Sequence, residues 1–367
     1  MRVVLHTPLK PPDSLVPSGD REMARGLRRL LGRLGHSVVM PKQCRVVPGV
    51  PSAEAHIALE RSARRQVRRI VERWRALPAR HPERFDLWFT YHCYYRKPDW
   101  LGPEVTRALG IPYVIAEASH APRRAQGPTR IGHRAVERAL AAAALVLTVN
   151  PRDVAGVKAR LRPGARQSWL PPFIDTRPFH VPGRRETGKS PLLLAVGMMR
   201  SRDKAESYRV LARALAKLGD RKWRALLVGD GPARPEIETL MAPFGDRVRF
   251  TGAVPHADLP ALYASADIYV WPAINEAYGM AFLEAQAAGL PVVAGRTGGV
   301  PAVVADGVTG LLTPIGDADA FAAAVAYLLD APDERARLGA TASARVAARH
   351  DERAAAHALA TALRTLR

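Results

Sequence analysis

Apolar and polar positions alternate along this chain in the order expected of strands and helices that follow one another. The clearest stretch lies between residues 267 and 299. It begins with the apolar run DIYVWP, continues with a helical run opened by Gly279, and returns to an apolar run, PVVAG, before Gly298 and Gly299. Strand, helix, strand and glycine-rich loop in this order predict a βαβ unit of a parallel sheet.

The first half of the chain opens with the same alternation. A helix is predicted at 21–34, because its apolar side chains fall on one face. Strands are predicted at 2–6, 37–40, 85–92, 112–117 and 144–149. Polar or Gly/Pro-rich residues follow most of these strands, as expected of loops at the carboxyl edge of a parallel sheet. Ligands bind at that edge in α/β folds.

A break in the pattern divides the chain into two domains. Residues 170–191 are rich in proline, glycine and charge and show little periodicity, which is typical of an interdomain connection. A chain of 367 residues is also too long for one ordinary core. We therefore expect an N-terminal domain over 1–172 and a C-terminal domain over 173–345. A last helix, near 346–367, is expected to cross back to the first domain.

Composition narrows the class of protein. Apolar residues make up 47% of the chain and charged residues 24%, which indicates a globular protein. No apolar run is long enough to span a bilayer, and the N-terminus reads as a first strand rather than a signal peptide, so we expect a cytoplasmic protein. The two cysteines, Cys44 and Cys93, are expected to be free or buried thiols rather than a disulfide.

Positive charge is concentrated in the first half. Residues 1–172 hold 31 basic and 13 acidic side chains, a net charge of +18, whereas residues 173–367 carry +3. Residues 52–77 predict an arginine-rich amphipathic helix whose apolar stripe packs on the sheet. Such a helix can also lie on an anionic membrane. The cytoplasmic protein is therefore expected to have a possible peripheral site at the inner face of the membrane.

Two glutamates carry the strongest chemical signal. Glu276 lies in the loop before the predicted helix, where it can face a sugar held beside a bound phosphate. Glu284 lies about one and a half turns into that helix, where it can accept hydrogen bonds from ribose hydroxyls. Two solvated glutamates near a helix start would be the ordinary alternative. The glycines, proline and apolar runs around them favour a site.

This segment resembles the E-x7-E donor motif of the family 4 glycosyltransferases. The resemblance extends to LPPFID (170–175), VGDGP (228–232), 248–272 and VVADGVTGLLTP (303–314), so it is close in the C-terminal half and loose in the N-terminal half. It implies two Rossmann-like domains facing across a cleft, the GT-B fold. It also implies a retaining glycosyltransferase that moves a sugar from a nucleotide-diphosphate sugar to a hydroxyl acceptor, with no cofactor.

The second domain supplies the expected donor-binding residues. The loop after its first strand carries Arg200, Arg202 and Lys204, whose charge can neutralise a diphosphate. The family usually has a lysine followed by glycine here, whereas Ala205 follows Lys204, and the choice between Arg200 and Arg202 stays open. The other candidates are Gly229, Asp230, Gly279, Met280 and Glu284. We expect no metal site, because no DxD sequence lies at a strand end and no His/Asp cluster of ligand spacing is evident, and the cations take the place of a metal.

The first domain supplies a second candidate catalytic residue and the acceptor-side residues. His120 resembles the family's histidine at the end of a T-x-H segment, which lies close to the transferred sugar; Glu276 and His120 are thus the catalytic candidates. Gly19, in the first long loop, is expected to let the backbone approach the donor. His92, Tyr94, Arg123 and Arg124 are acceptor-side candidates, since aromatic rings stack on sugars and arginines bind anionic groups.

The expected reaction is front-face transfer, with Glu276 orienting the sugar and a leaving phosphate oxygen taking the acceptor's proton. The acceptor is expected to be a glycan, a lipid-linked or a small-molecule hydroxyl, in cell-envelope glycan or glycolipid assembly. A nucleotide-sugar 2-epimerase and a catalytically inactive sugar-nucleotide-binding relative remain alternatives. Nucleic acid is not an expected partner, because the arginines are diffuse and no recognition motif is present.

Overall fold

The computed structural model describes residues 1–41, 52–180 and 190–366. Cys44 and part of the predicted connection at 170–191 lie outside these residues. The chain forms two compact units. Unit 1 comprises Met1–Pro171 together with Glu352–Arg367, and unit 2 comprises Pro172–Asp351.

Unit 1 is built on a parallel sheet of six strands among its described residues, in the order β2-β1-β3-β4-β5-β6. The strands are β1 Arg2–His6, β2 Ser37–Val39, β3 Leu87–Cys93, β4 Tyr113–Ala118, β5 Leu145–Thr148 and β6 Arg166–Trp169. The helices are α1 Gly19–Arg33, α2 Ala53–Ala76, α3 Gly102–Leu109, α4 Arg130–Ala142, α5 Val154–Lys158 and, at the end of the chain, α13 Glu352–Arg364.

The core of unit 1 forms where the predicted apolar faces meet. Strands β3 and β4 are buried almost throughout, as expected of central strands covered on both faces. Helix α2 turns Val67, Ile70 and Trp74 toward this core and leaves its arginines exposed. Its apolar stripe therefore packs within the protein, and its arginine face is exposed.

Unit 2 has a second six-stranded parallel sheet among its described residues, in the order β12-β11-β10-β7-β8-β9. Its strands are β7 Leu192–Val196, β8 Arg224–Val228, β9 Val248–Gly252, β10 Ile268–Trp271, β11 Val292–Gly295 and β12 Gly310–Thr313. Its helices are α6 Asp203–Leu215, α7 Arg234–Met241, α8 Leu259–Ser265, α9 Met280–Ala287, α10 Val300–Val303, α11 Ala318–Asp330 and α12 Pro332–Arg349.

Helix α13 packs on α1 and β5 of unit 1. The Glu352 carboxylate, at its first turn, is buried and pairs with Arg29 at 2.6 Å and Arg33 at 2.5 Å. The buried carboxylate thus has two cations to offset the cost of its desolvation. Among the described residues, the longest helices are too polar for any of them to cross a membrane.

Candidate active site

Glu276 lies at the carboxyl edge of the unit 2 sheet, in the loop between β10 and α9. The loop is tight, because Ala273 and Asn275 both have positive φ angles, which non-glycine residues rarely adopt. Gly298 packs directly against this loop. Its φ is +53°, and a side chain there would collide with the Glu276 carbonyl oxygen. The Gly298-Gly299 pair therefore supports the Glu276 loop, and Gly299 also donates its N–H to the Ala277 carbonyl.

The Glu276 carboxylate has two polar partners in unit 2. Its Oε2 accepts hydrogen bonds from Lys204 Nζ at 2.5 Å and from Trp271 Nε1 at 3.3 Å. The ammonium of Lys204 also lies 5.1 Å from the centre of the Trp271 ring, within the range of a cation–π contact. An acidic and a basic side chain, both partly exposed, thus lie together at a sheet edge. This pair can bind hydroxyl groups and neutralise a phosphate.

The loops that follow β7 and β8 pack against each other. Gly229 and Gly231 have φ angles of +142° and +152°, and side chains there would collide with the carbonyl oxygens of Gly197 and Met199. Asp230 accepts a hydrogen bond from the Gly231 N–H and pairs with Arg234 at 3.1 Å. The glycines therefore bring the 229–231 loop against the 197–199 loop.

The loop that precedes α6 holds the two arginines that are candidates for contact with a diphosphate. Arg200 and Arg202 are both exposed, and Arg202 caps α6 with a φ of +65°. The choice between them stays open. Gly279 has a φ of +74° and precedes Met280, the first residue of α9, so the glycine provides the backbone turn into that helix.

Glu284 lies in the middle of α9 with its side chain 7% exposed. Tyr263 donates its hydroxyl to Oε2 at 2.8 Å, and Nε2 of His256 lies 3.0 Å from Oε1. The sequence pattern pointed to Glu284 but not to these two partners. Tyr263 lies in α8 and His256 lies just before it, and their spacing in the sequence does not indicate a contact with α9.

In unit 1, four side chains meet at the carboxyl edge of the sheet. His92 Nδ1, at the end of β3, lies 3.2 Å from Asp20 Oδ1 and 3.7 Å from Glu117 Oε1. Asp153, which follows β5, adds a third carboxylate whose charge acts on the same ring. Tyr94 packs on His92 with ring centres 4.8 Å apart. Glu117 lies at the end of β4, whereas Asp20 and Asp153 follow β1 and β5; strand ends of this kind are where α/β folds bind ligands.

These carboxylates determine the charge of His92. Burial by itself lowers the pKa of the imidazole, but Glu117, Asp20 and Asp153 outweigh burial and raise it to about 9. His92 is therefore an imidazolium at neutral pH, surrounded by more negative charge than it carries. Burial also raises the pKa of Tyr94 to about 12, so its phenol keeps its proton.

His120 lies just beyond β4, and its ring faces other groups of unit 1. Its Nε2 is 3.2 Å from Glu137 Oε1 and 3.2 Å from Arg160 Nε, and its side chain is 3% exposed. His133 approaches the same Glu137 oxygen at 3.5 Å. Contact of His120 with a transferred sugar stays a prediction.

The absence of a metal site stays a prediction, although unit 1 holds a group of two histidines and a glutamate that the sequence pattern did not reveal. The ligand atoms of His120, His133 and Glu137 lie within 4.8 Å of one another. The cluster was missed because His133 and Glu137 become neighbours only through the four-residue repeat of α4. Arg160 brings a guanidinium to the same oxygen at 3.5 Å, so a protein cation already balances the carboxylate.

Two further candidates of unit 1 differ from expectation in their setting. Gly19 is the first residue of α1 rather than part of the preceding loop, because the Ser18 side chain caps the helix by accepting from the Arg21 N–H. Arg123 is exposed on a short 3₁₀ turn, whereas the guanidinium of Arg124 stacks 5.0 Å from the Tyr95 ring centre. Arg124 is thus engaged within unit 1.

The fold is that of GT-B glycosyltransferases. The chain aligns over its whole length with a sucrose-phosphate synthase from Thermosynechococcus elongatus, with a TM-score of 0.74 and 22% identity, covering 98% of that chain. It aligns equally with Anabaena Alr3699/HepE, whose structure was solved with UDP-glucose, at a TM-score of 0.71 and 19% identity over 100% of both chains. These likenesses establish two Rossmann-like α/β units.

Sequence comparison gives the family. Residues 190–331 match the profile of the family described as Glycosyl transferases group 1. The alpha-D-kanosaminyltransferase of Streptomyces kanamyceticus is 32% identical over 278 residues, covering 70% of this chain and 71% of its own. The chain belongs to this family, the family 4 glycosyltransferases, and the recognition of the E-x7-E segment is confirmed.

Other relatives match smaller parts of the chain. The 2-deoxystreptamine glucosyltransferase of Streptomyces kanamyceticus is 32% identical over 254 residues, covering 63% of this chain and 65% of its own. The D-inositol 3-phosphate glycosyltransferase of Corynebacterium glutamicum (strain R) is 41% identical over 140 residues, covering 35% and 34%. Glycosyl transfer is thus common to these relatives, while the names of their acceptors differ.

Proposed function

We propose that this glycosyltransferase moves a sugar from a nucleotide-diphosphate sugar to a hydroxyl acceptor with retention of configuration. The observation that carries the proposal is the meeting of Glu276 with Lys204 and Trp271 at the carboxyl edge of the unit 2 sheet. A carboxylate for sugar hydroxyls and an ammonium for a diphosphate are the two groups that such a donor needs. The relative solved with UDP-glucose supports this class of donor.

Different residues of unit 2 contact different parts of the donor in this proposal. Lys204, with Arg200 or Arg202, neutralises the diphosphate and the charge that grows on it as it leaves. Glu276 accepts hydrogen bonds from the sugar, and Glu284 accepts them from the ribose. Met280 and the 229–231 loop line the phosphate side. In this scheme the cations, rather than a metal ion, stabilise the leaving group.

The bond changes follow front-face transfer. The bond between the anomeric carbon and the diphosphate oxygen breaks, and the acceptor oxygen forms its bond on the same face. The acceptor's proton passes to an oxygen of the departing diphosphate, so no side chain needs to act as the base. The enzyme contributes positioning and charge stabilisation, which account for large rate factors when reacting atoms are held in place.

For the acceptor, we propose a hydroxyl compound that also carries an amino group. Asp20, Glu117 and Asp153 place an excess of negative charge around His92 in a unit that is otherwise strongly basic. Carboxylates bind an ammonium group and repel a phosphate. A 2-deoxystreptamine glucosyltransferase among the relatives has an acceptor of this kind in its name.

A lipid-linked or polysaccharide acceptor of the cell envelope is the second candidate. The exposed arginines of α2 favour it, because they would suit an anionic membrane surface at the cytoplasmic face. Transfer to 2-deoxystreptamine, to myo-inositol and to inositol 3-phosphate compares an amino, a neutral and an anionic acceptor. We expect the first to have the highest kcat/KM, by about tenfold over the neutral compound, the effect of one charged contact. Preference for the phosphate would contradict the amino acceptor.

The donor proposal is tested with Glu276→Ala. Sugar nucleotides carrying uridine, guanosine, adenosine or thymidine diphosphate are first screened by thermal shift, because a ligand that binds only the folded state raises Tm. With the stabilising donor, we expect Glu276→Ala to lower turnover by about 10²-fold or more while circular dichroism and Tm are retained. Glu334→Ala, at a partly exposed glutamate of α12, should leave turnover unchanged.

Other results of these assays identify the alternatives. Failure of every sugar nucleotide to bind would overturn the donor proposal. Binding without transfer to any acceptor would indicate an inactive relative. Release of an epimerised sugar in the absence of acceptor would indicate a 2-epimerase. Unchanged turnover in Glu276→Ala would remove that residue from the reaction.

A further inference from the structure

Glu284 is a buried carboxylate with two partners that come from outside its own helix. Tyr263 lies in the last turns of α8 and is fully buried, and its hydroxyl donates to Glu284 Oε2 at 2.8 Å. His256 precedes α8 and is 41% exposed, and its Nε2 lies 3.0 Å from Oε1. Among the residues that the structure describes, each oxygen of the carboxylate thus has one hydrogen-bond partner.

The two partners are fixed by a common neighbour. The ring of Phe179 lies 5.8 Å from that of Tyr263 and 6.5 Å from that of His256, edge to face in both cases. Tyr263 also packs against Tyr269 of β10 at 6.0 Å. The donors that reach Glu284 are therefore part of a packed aromatic group, which restricts the direction from which each approaches the carboxylate.

This arrangement leaves acceptor capacity on both carboxylate oxygens. An ionised carboxylate offers about four lone-pair positions, two on each oxygen. Tyr263 uses one position on Oε2 and His256 one on Oε1. One position on each oxygen remains for other donors. Two neighbouring hydroxyl groups can donate one hydrogen bond to each of the two oxygens of one carboxylate.

We propose that His256 and Tyr263 are positioning residues that hold the two oxygens of Glu284 for the 2′- and 3′-hydroxyls of the donor's ribose. This inference rests on the proposed function, in which Glu284 is the ribose contact. His256 and Tyr263 act through Glu284. A rotation of the carboxylate would turn one oxygen away from the diol, and the two protein donors prevent it.

The test compares nucleotides that differ by one hydroxyl. Binding of uridine and guanosine diphosphates and of their 2′-deoxy forms is measured by calorimetry in the wild type, Tyr263→Phe, His256→Ala and Glu284→Ala. For the diphosphate that binds, we expect Tyr263→Phe and His256→Ala to weaken the ribose form by about tenfold and the deoxy form by clearly less. The preference of the wild type for ribose should then shrink toward that of Glu284→Ala.

Controls separate positioning from general damage. His180→Ala and Tyr327→Phe change exposed residues of unit 2 and should leave the ribose preference intact. If Tyr263→Phe lowers Tm, His256→Ala, at a partly exposed residue, still reports on Glu284. A purely structural role would weaken both nucleotide forms equally and leave their ratio unchanged, which would overturn the inference.

The same data distinguish failure of the inference from failure of the proposed function. If the wild type binds no nucleoside diphosphate, the donor proposal is wrong and the inference falls with it. If the wild type binds but Glu284→Ala keeps the full ribose preference, Glu284 is not the ribose contact. If the His256 and Tyr263 variants keep the ribose preference and Glu284→Ala loses it, the donor site stands and the positioning role is wrong.

Discussion

At the scale of single residues, the central feature is a carboxylate that is neutralised before any donor arrives. Lys204 holds the Glu276 carboxylate at 2.5 Å, and both side chains are partly exposed. A diphosphate would compete with Glu276 for Lys204, because both are anions. Donor binding would then free one carboxylate lone pair for a sugar hydroxyl. The ion pair thus keeps both groups in place without burying an unpaired charge.

We expect His92 to make glycosyl transfer sensitive to pH. Its pKa is raised to about 9, so the imidazolium present at neutral pH loses its proton as pH rises through that value. We expect kcat/KM for the acceptor to fall as pH rises through about 9. The stabilising contribution of this raised pKa has the same sign: it is full below the ordinary histidine pKa of about 6.5 and is lost as pH rises through the folded-state value.

Glu117→Gln supplies the matching variant for the pH profile. The charge of Glu117 is the largest single cause that raises the pKa of His92, so its neutralisation should move the alkaline limb of kcat/KM to lower pH. Glu104→Gln, at an exposed glutamate of α3, should leave the limb in place. A limb that stays near pH 9 in Glu117→Gln would mean that another group controls it.

Residues whose role depends on loop position could be predicted from the sequence, and residues whose role depends on contacts could not. Glu276 and Lys204 follow apolar strands, so strand ends alone placed them at one edge of the unit 2 sheet. Glu117 and Tyr263 gave no such signal. Each contacts a partner that is distant in the sequence, and such contacts depend on how distant segments pack together.

At the scale of elements, the loops after strands have more exact requirements than the strands themselves. Strands β1 to β5, β10 and β11 were predicted within a few residues, because continuous apolar runs suffice to specify them. Strand β6, RQSW, was missed, since an edge strand that is mostly polar carries no apolar run. The loop before α9 instead depends on Gly298, whose contact with the Glu276 backbone is invisible in the sequence.

Gly298→Ala tests that dependence. An added methyl group would collide with the Glu276 carbonyl oxygen and would also have to adopt a φ of +53°. We expect kcat/KM to fall by about 10²-fold, because small displacements of a positioning group are costly to catalysis. The measurement is steady-state transfer with the donor found by thermal shift, accompanied by Tm.

Gly307→Ala is the matched control for Gly298→Ala. Gly307 has a comparable φ of +69°, but a methyl group there would meet no atom within 4 Å. It therefore carries the backbone strain without the collision. Similar losses of activity in both variants would attribute the effect to strain, and the support of the Glu276 loop by Gly298 would then be disproved.

At the scale of the whole molecule, charge is divided unevenly along the chain. Residues 1–172 carry +18, and the exposed face of α2 holds seven of the 31 basic side chains in this range. The carboxylates around His92 show that this excess of positive charge does not extend to the carboxyl edge of the unit 1 sheet. A basic helix face and an acidic strand edge in one unit suggest two different partners: an anionic surface for the helix and the acceptor for the edge.

The α2 face is expected to bind anionic vesicles independently of catalysis. Each basic side chain near such a surface contributes about 1 kcal/mol, and the attraction is screened within a Debye length of about 10 Å at 0.1 M salt. Cosedimentation with phosphatidylserine vesicles should therefore decrease steeply with salt. It should also decrease in a variant with Arg65, Arg68 and Arg69 replaced by glutamine, whereas transfer to a water-soluble acceptor should be retained. Vesicle binding that is unaffected by these replacements would assign the attraction to another part of the chain, and the α2 arginines would then serve only as a solvated face.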